Sequence, residues 1–94
     1  MKPAPLTDYI ITTHAKSEMK RRGLREETIH AVLAAPEQSL EVRPGRVLLQ
    51  SRVSMEVPKK TYLVRVFVDV DRHPAEVVTV YRTTKISKYW REES

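Results

Sequence analysis

Residues 61–70 have the sequence Thr-Tyr-Leu-Val-Arg-Val-Phe-Val-Asp-Val, and this stretch is the strongest indication of the fold class. Apolar side chains occupy alternate positions, which is the period of a β-strand that buries one face. That face carries one tyrosine and four valines: Tyr62, Val64, Val66, Val68 and Val70. The other face mixes apolar and polar side chains and includes Arg65. The stretch therefore predicts a long strand with a covered valine face and an open face that presents Arg65.

Turn signals on both sides of this strand predict its neighbours. The pair Pro44-Gly45 separates two β-type runs, 39–43 and 46–53, which reads as a hairpin. A polar turn at 71–74 precedes a final apolar run at 76–82. Successive strands joined by short turns pair antiparallel. We therefore expect a four-stranded antiparallel sheet.

The residues before the hairpin follow a helical period. Thr12 or Thr13 can cap a helix that begins at His14, and Gly23 is a suitable C-terminal stop after Arg22. A second helix is expected over residues 26–35, with an apolar stripe formed by Ile29, Val32 and Leu33 and a stop at Pro36.

A short third helix is expected over residues 84–91, with Thr84 as its cap and an apolar side formed by Ile86, Tyr89 and Trp90. The predicted fold class is α+β, with two N-terminal helices packed on one face of the sheet.

Length and composition exclude several classes of protein. A chain of 94 residues suits one domain, which we place at 9–94 after a disordered lead-in at 1–8. The absence of cysteine excludes a disulfide framework and a thiolate metal site. No apolar run approaches the roughly 18 residues that a membrane helix needs. A cytoplasmic location is compatible with this composition.

The net charge of +5 is concentrated in two segments. Residues 14–25 carry five basic side chains and one acidic side chain, which gives +4, and residues 82–91 carry four basic side chains. The rest of the chain is close to neutral. If the fold brings the two segments together, they form one basic surface for a polyanion. If it does not, they are two solvated surfaces, which is the more common situation for charge runs.

Two residues outside the apolar pattern are candidates for chemistry. Arg65, beside Phe67 and Leu63, can hold a phosphate and help to stack a base, or it can be a solvent-facing arginine. His14 lies four residues before Glu18 and eight before Arg22, so all three share one helical edge. A histidine there can transfer protons near neutral pH, or it can simply pair with the glutamate.

The segment Tyr81–Trp90 is the densest stretch of polar and aromatic groups, and it can form a phosphate-binding edge or pack its rings on the sheet. A metal site is not expected, because His14 and Glu18 offer two ligands and the spacing supplies no third. With two glycines, the chain has no glycine-rich phosphate loop. No cofactor is expected.

Three stretches together resemble a known family. They are Thr13-His14-Ala15 with Met19 and Arg22-Gly23-Leu24, then Val32-Leu33 with Pro36, and then residues 77–83 leading into Lys88-Tyr89-Trp90. The pattern resembles a family of small bacterial and phage proteins of unassigned function, grouped with the RelE/ParE-like toxins near the BrnT branch. It covers about residues 9 to 90, and its specificity comes from the order and spacing of short motifs.

The resemblance implies a RelE-like, microbial-ribonuclease-like toxin fold. The superfamily contains RNA-cleaving toxins that a partner antitoxin neutralises, members that poison gyrase, and members without known activity. In the family the position of Glu18 is usually basic, so one phosphate contact is missing here. The resemblance carries over His14, Arg22, Arg82 and the Lys85/Lys88 region as candidate site positions.

If the protein is a ribonuclease, the RNA supplies its own nucleophile, the 2′-hydroxyl, and no metal is required. His14 is then the candidate for proton transfer, and the phosphate stabilisers are Arg22, Arg65 and Arg82. The nucleic-acid backbone is expected to contact four further side chains: Lys20, Arg21, Lys85 and Lys88. Expected partners are RNA, free or on ribosomes, and a small acidic antitoxin.

Two further classes of function stay open. The same basic surface can bind nucleic acid or an acidic partner without catalysis. Alternatively, the helix that carries Trp90 can dock on another chain.

Overall fold

The structure, a computed structural model, describes residues 3–56 and 59–92 of the chain. Within these residues there are five strands and three helices. The strands are β1 (Tyr9–Ile11), β2 (Gln38–Arg43), β3 (Arg46–Glu56), β4 (Lys59–Asp69) and β5 (Ala75–Thr83). The helices are α1 (Thr13–Arg22), α2 (Glu26–Ala34) and α3 (Ile86–Tyr89). The fold class is α+β, as the sequence predicts.

The described strands form one mixed sheet in the order β1-β5-β4-β3-β2. The predicted four antiparallel strands are present, but the expectation of a purely antiparallel, four-stranded sheet is wrong. Tyr9–Ile11 adds a fifth strand, which pairs parallel to β5 opposite Ala75–Val77. The Thr12 side chain fixes this junction, because its hydroxyl donates to the carbonyl of Val77 at 2.9 Å.

Helices α1 and α2 cover the valine face of β4, which confirms the predicted layer order. The core contains Val64, Val66 and Val68 from β4, and each of these side chains is fully buried. From the helices it contains five apolar side chains: Ala15, Met19, Ile29, Val32 and Leu33. Burial of this stripe against the sheet is the main force that holds the helices in place.

Both ends of α1 follow the sequence signals. The Thr12 hydroxyl accepts a hydrogen bond from the backbone N–H of Ala15 at 3.1 Å. Gly23 ends the helix in the left-handed region at φ 67°, and its N–H donates to the carbonyl of Met19. The helix therefore stops sharply, and the chain turns directly into α2.

The third helix is shorter than predicted and begins two residues later. Its N-cap is Lys85, which provides no side-chain cap, and the predicted cap Thr84 is not used. Instead the Thr83 hydroxyl accepts from the N–H of Lys85 at 3.1 Å, which forms a turn before the helix. A single helical turn results, and its carbonyl and ring groups face the sheet.

Residues 3–8, inside the segment expected to be disordered, contain no helix or strand. Leu6 in this segment packs against the core, and its N–H donates to the carbonyl of Leu33 at 2.8 Å. Among the residues that the structure describes, no helix is long and apolar enough to cross a membrane.

The ion pair between Arg46 and Asp69 gives the sheet a pH-dependent contact. Two hydrogen bonds of 2.6 and 3.1 Å join the guanidinium to the carboxylate. These bonds lower the pKa of the Asp69 carboxyl, although burial opposes the effect. A carboxyl whose pKa is lower in the folded state stabilises the protein above about pH 4, and this contribution is lost as the pH falls through the lowered pKa.

We therefore expect Asp69→Asn to lower the free energy of unfolding by about 1–2 kcal/mol at pH 7. The difference from the wild type should be smaller at about pH 3, because below about pH 4 the carboxyl is protonated in the unfolded chain and this weakens the contribution of the ion pair to folding. Urea denaturation at both pH values measures this, with Asp8→Asn, an exposed aspartate, as the control. An equal difference at the two pH values would contradict the assignment.

Candidate nucleic-acid interface

One row of polar side chains crosses the open face of the sheet, which is the face opposite α1 and α2. Gln38 on β2 lies opposite Gln50 on β3, and Gln50 lies opposite Arg65 on β4. Arg65 in turn lies opposite Tyr81 on β5. We call these four residues the polar row. Each comes from a different strand, so the pairing register of the sheet brings them together.

Hydrogen bonds run along the whole polar row. Arg65 donates from Nε to Oε1 of Gln50 at 2.9 Å and from Nη1 to the hydroxyl of Tyr81. The fully buried Gln50 donates from Nε2 to Oε1 of Gln38 at 2.8 Å. These bonds fix the guanidinium of Arg65 in one orientation on the sheet.

The segment around α3 lies against the same row. Gln50 donates to the carbonyl of Tyr89 at 3.3 Å. Gln38 donates to the carbonyl of Arg91 and accepts from its N–H, at 2.5 and 3.1 Å. This segment therefore covers the second face over β2 and β3. On β4 and β5 the same face is half-buried at Arg65 and Tyr81, and Leu63 is fully buried.

Aromatic rings surround the guanidinium of Arg65. Its Cζ lies 4.4 Å from the ring centre of Tyr89, 5.3 Å from that of Tyr81 and 5.8 Å from that of Phe67. Lys88 adds a second cation, with its Nζ 5.3 Å from the Tyr89 ring. Contacts of this length are cation–π interactions, which hold the guanidinium among the rings.

Arg65 is half-buried, and no carboxylate of a described residue lies within ion-pair distance of it. The guanidinium of Arg65 is therefore surrounded by aromatic rings and bonded to neutral oxygens of Gln50 and Tyr81. A phosphate can form charge-assisted hydrogen bonds with such a guanidinium, and the neighbouring rings can stack a base. This combination is typical of single-stranded nucleic-acid binding.

A second group of charged side chains lies at the end of α1. Glu18, whose side chain is 11% exposed, accepts hydrogen bonds from Arg21 and from Nε of Arg22, the latter at 3.0 Å. His14 Nε2 lies 3.5 Å from the other carboxylate oxygen. Burial of the Glu18 carboxyl favours a higher pKa, but the hydrogen bonds from the two arginines outweigh burial and lower the pKa. Glu18 is therefore ionised at neutral pH.

Arg22 joins the α1 group to the polar row. Its Cζ lies 5.9 Å from the ring centre of Tyr81. An unbroken set of contacts therefore runs from His14 through Glu18, Arg22 and Tyr81 to Arg65, and we call these five residues the α1–sheet cluster. The structure thus brings together three of the four predicted catalytic residues, with His14 and Arg65 at opposite ends.

The fourth, Arg82, points to the other face of the sheet. It lies opposite Val64 in the register, so it shares the valine face rather than the face of Arg65. Its guanidinium lies 4.6 Å from the ring centre of Tyr62. Successive residues of a strand face opposite sides, and this separates Arg82 from its neighbour Tyr81.

The two basic segments meet at the end of α1. A Cβ on Gly23 would come within 3.3 Å of Nη2 of Arg82, and Arg22 contacts Tyr81. The ends of both segments therefore lie together where α1 passes β5. Of the four residues expected to contact the nucleic-acid backbone, Arg21 binds Glu18 and Lys88 contacts Tyr89. Lys20 and Lys85 have exposed side chains.

Sequence reasoning missed the glutamines of the polar row and the position of Tyr81 within it. Glutamine on a strand resembles any solvent-facing polar residue, so its burial beneath α3 had no local signal. The alternation of Arg65 with the valines placed it on the correct face, but its partners depend on register across three strand pairs.

Among the described residues, no group of three or more histidines, aspartates or glutamates could hold a metal ion.

One family model, for a domain of unknown function (DUF4258), matches residues 11–82. No curated protein and no solved structure matches the chain.

Proposed function

The chain belongs to the DUF4258 family, a domain of unknown function, and we propose that it is a metal-independent endoribonuclease of the RelE/ParE-like toxin type. The observation that carries the proposal is the α1–sheet cluster, which connects a proton-transfer candidate to a guanidinium held among aromatic rings. In this proposal the fold is RelE-like and the chain is related to the BrnT branch of these toxins.

The proposed reaction needs few protein groups. The 2′-oxygen of a ribose attacks the adjacent phosphorus, and the bond from phosphorus to the 5′-oxygen breaks. The products are a 2′,3′-cyclic phosphate and a 5′-hydroxyl end. His14 accepts the proton of the 2′-hydroxyl, and water supplies the proton of the leaving 5′-oxygen. Arg22 stabilises the extra negative charge at the phosphate. Arg65, at the other end of the cluster from His14, holds a neighbouring phosphate of the strand.

The rings beside Arg65 are expected to give the protein a preference for single-stranded over double-stranded RNA. A base can stack on Tyr81 or Tyr89 only if it has left its own helix, and each such contact is worth about 1–3 kcal/mol. Lys85 and Lys88 hold the flanking phosphates. The proposal does not require Arg82, which lies on the other face. It places the protein in the cytoplasm, where ribosomes and an acidic antitoxin are the proposed partners.

The proposal is tested by incubating the protein with single-stranded RNA, free and on ribosomes, and mapping the product ends. A 2′,3′-cyclic phosphate that forms in the presence of a chelator supports it. The same sequence in DNA must stay intact, because DNA lacks the 2′-hydroxyl. RNA that stays intact in every condition while it binds the protein excludes catalysis.

Arg65→Ala is expected to weaken binding of a short single-stranded RNA by about 10- to 100-fold, because a charge-assisted hydrogen bond and a cation–π platform are lost. The slope of log affinity against log salt should also fall by about 1. Fluorescence anisotropy at several salt concentrations measures both, with Arg72→Ala, an exposed arginine at the β4–β5 turn, as the control. An equal loss in the two variants would contradict the site.

A second candidate function is RNA binding without cleavage, and one observation favours it. Glu18 already binds both Arg21 and Arg22, so part of the α1 charge is compensated within the protein. Glu18→Gln frees both guanidiniums. If RNA affinity then rises several-fold and no product forms, the chain is a binding module whose affinity Glu18 limits.

A further inference from the structure

A cavity of about 390 Å³ opens on the valine face at the junction of α1, α2 and β3. The sheet separates it from Arg65 and Tyr81, which lie on the other face. Its polar lining consists of Arg25, Thr28, Ser54, Glu56 and Arg82, and Gly23 forms part of its wall. Ser54 and Glu56 lie opposite Thr61 and Lys59 in the register, so their side chains belong to the other face of the sheet. Two arginines and the hydroxyl of Thr28 therefore face a space in the size range of small-molecule sites.

Arg82 is held in this cavity by neutral groups. Its Cζ lies 4.6 Å from the ring centre of Tyr62, and its Nη1 contacts the sulfur of Met55 at 3.4 Å. The side chain is half-buried, and no described residue places a carboxylate within ion-pair distance of it. A partly desolvated cation without a counter-ion gains free energy when an anion binds.

Gly23 keeps the space beside this guanidinium free. A side chain at this position would meet Nη2 of Arg82 within 3.3 Å. The left-handed backbone of Gly23, at φ 67°, also disfavours any residue with a Cβ. The same glycine that ends α1 therefore allows Arg82 to lie against the helix end.

We propose that this cavity is a second anion site, which binds a phosphate monoester through Arg82 and Arg25. The hydroxyl of Thr28 supplies a further donor, and the cavity is large enough for a mononucleotide. Two guanidinium groups match the charge of one phosphate monoester, which is about −1.5 to −2 at pH 7. The site does not depend on RNA binding at the open face, because Tyr81 and Arg82 face opposite sides of the sheet.

The phosphate monoester can come from a free nucleotide or from the end of an RNA chain. Calorimetric titrations at constant ionic strength compare four probes: inorganic phosphate, adenosine 5′-monophosphate, and a short RNA with either a 5′-phosphate or a 5′-hydroxyl. Binding of the first two supports a nucleotide site. Tighter binding of the 5′-phosphorylated RNA than of its 5′-hydroxyl counterpart supports recognition of a chain end.

Arg82→Ala is expected to weaken phosphate and mononucleotide binding by about tenfold or more. Arg65→Ala should leave this binding within about twofold, which separates the site from the proposed RNA interface. Thr28→Val removes one donor without touching Arg82, so this variant tests the site if Arg82→Ala does not fold.

Arg72→Ala is the control for general charge loss. Unchanged phosphate affinity in Arg82→Ala, or an equal loss in Arg65→Ala and Arg82→Ala, would overturn the proposal. Failure of inorganic phosphate and adenosine 5′-monophosphate to bind the wild-type protein, together with equal affinities for the two RNAs, would overturn it as well.

Discussion

Replacing His14 with alanine is expected to reduce the rate of RNA cleavage by about 10²-fold or more, the usual contribution of a positioned proton acceptor. RNA affinity should stay within about twofold, because the arginines and rings that hold the RNA are untouched. Stability should also be unchanged, since the His14 side chain is 68% exposed. Single-turnover cleavage and anisotropy measure the two effects separately.

The matched control is His73→Ala, which removes an exposed histidine from the β4–β5 turn. Its cleavage rate should equal that of the wild type. Parallel losses of cleavage and affinity in His14→Ala would show that His14 binds RNA rather than transferring a proton. Equal cleavage rates in His14→Ala and the wild type would remove His14 from the proposed mechanism.

Leu33→Ala is expected to lower the free energy of unfolding by about 2–5 kcal/mol, which is the usual cost of truncating a fully buried leucine. Leu33 is 0% exposed and lies in the core between α2 and the sheet. The neighbouring atoms cannot fill the cavity without moving α2 relative to the strands. For a domain of this size, such a loss is a large part of the total stability.

Chemical denaturation of Leu33→Ala and Leu40→Ala measures the effect against a matched control. Leu40 is a half-buried leucine on the edge strand β2, outside the main core. Its replacement should cost about 1 kcal/mol or less. A loss below about 1 kcal/mol for Leu33→Ala would show that α2 is not held mainly by this stripe.

The sequence was sufficient to predict the two faces of the sheet and the helices that cover one of them. The strict alternation around Val64 and Val66 identifies a strand without reference to the rest of the chain. The limits of α1 were also predictable, because Thr12 and Gly23 act through bonds to their near neighbours. Local signals were reliable for β4 and α1, but not for α3, where the predicted cap Thr84 is not used and the helix begins two residues later.

The errors concern contacts between distant parts of the chain. The run Tyr9–Ile11 is β-type, but its sequence does not show that it joins the sheet, and its partner in β5 follows more than 60 residues later. The side chain of Arg82 lies on a different face from that of Arg65. The residues of β5 that share a face with Arg65 are set by the pairing register of β5 with β4, and a single sequence does not show this register.

The polar row forms only if the strands of the sheet pair in their present register, so the site and the sheet depend on the same strand pairing. Each of its members lies on a different strand, so sliding one strand by a single residue would turn its member toward α1 and α2. An insertion of one residue in the middle of β4 would thus bury the charge of Arg65 and expose a valine. Substitutions within the row are expected to be tolerated better than insertions or deletions in its strands, so lineages that keep the row should vary in length only at the turns.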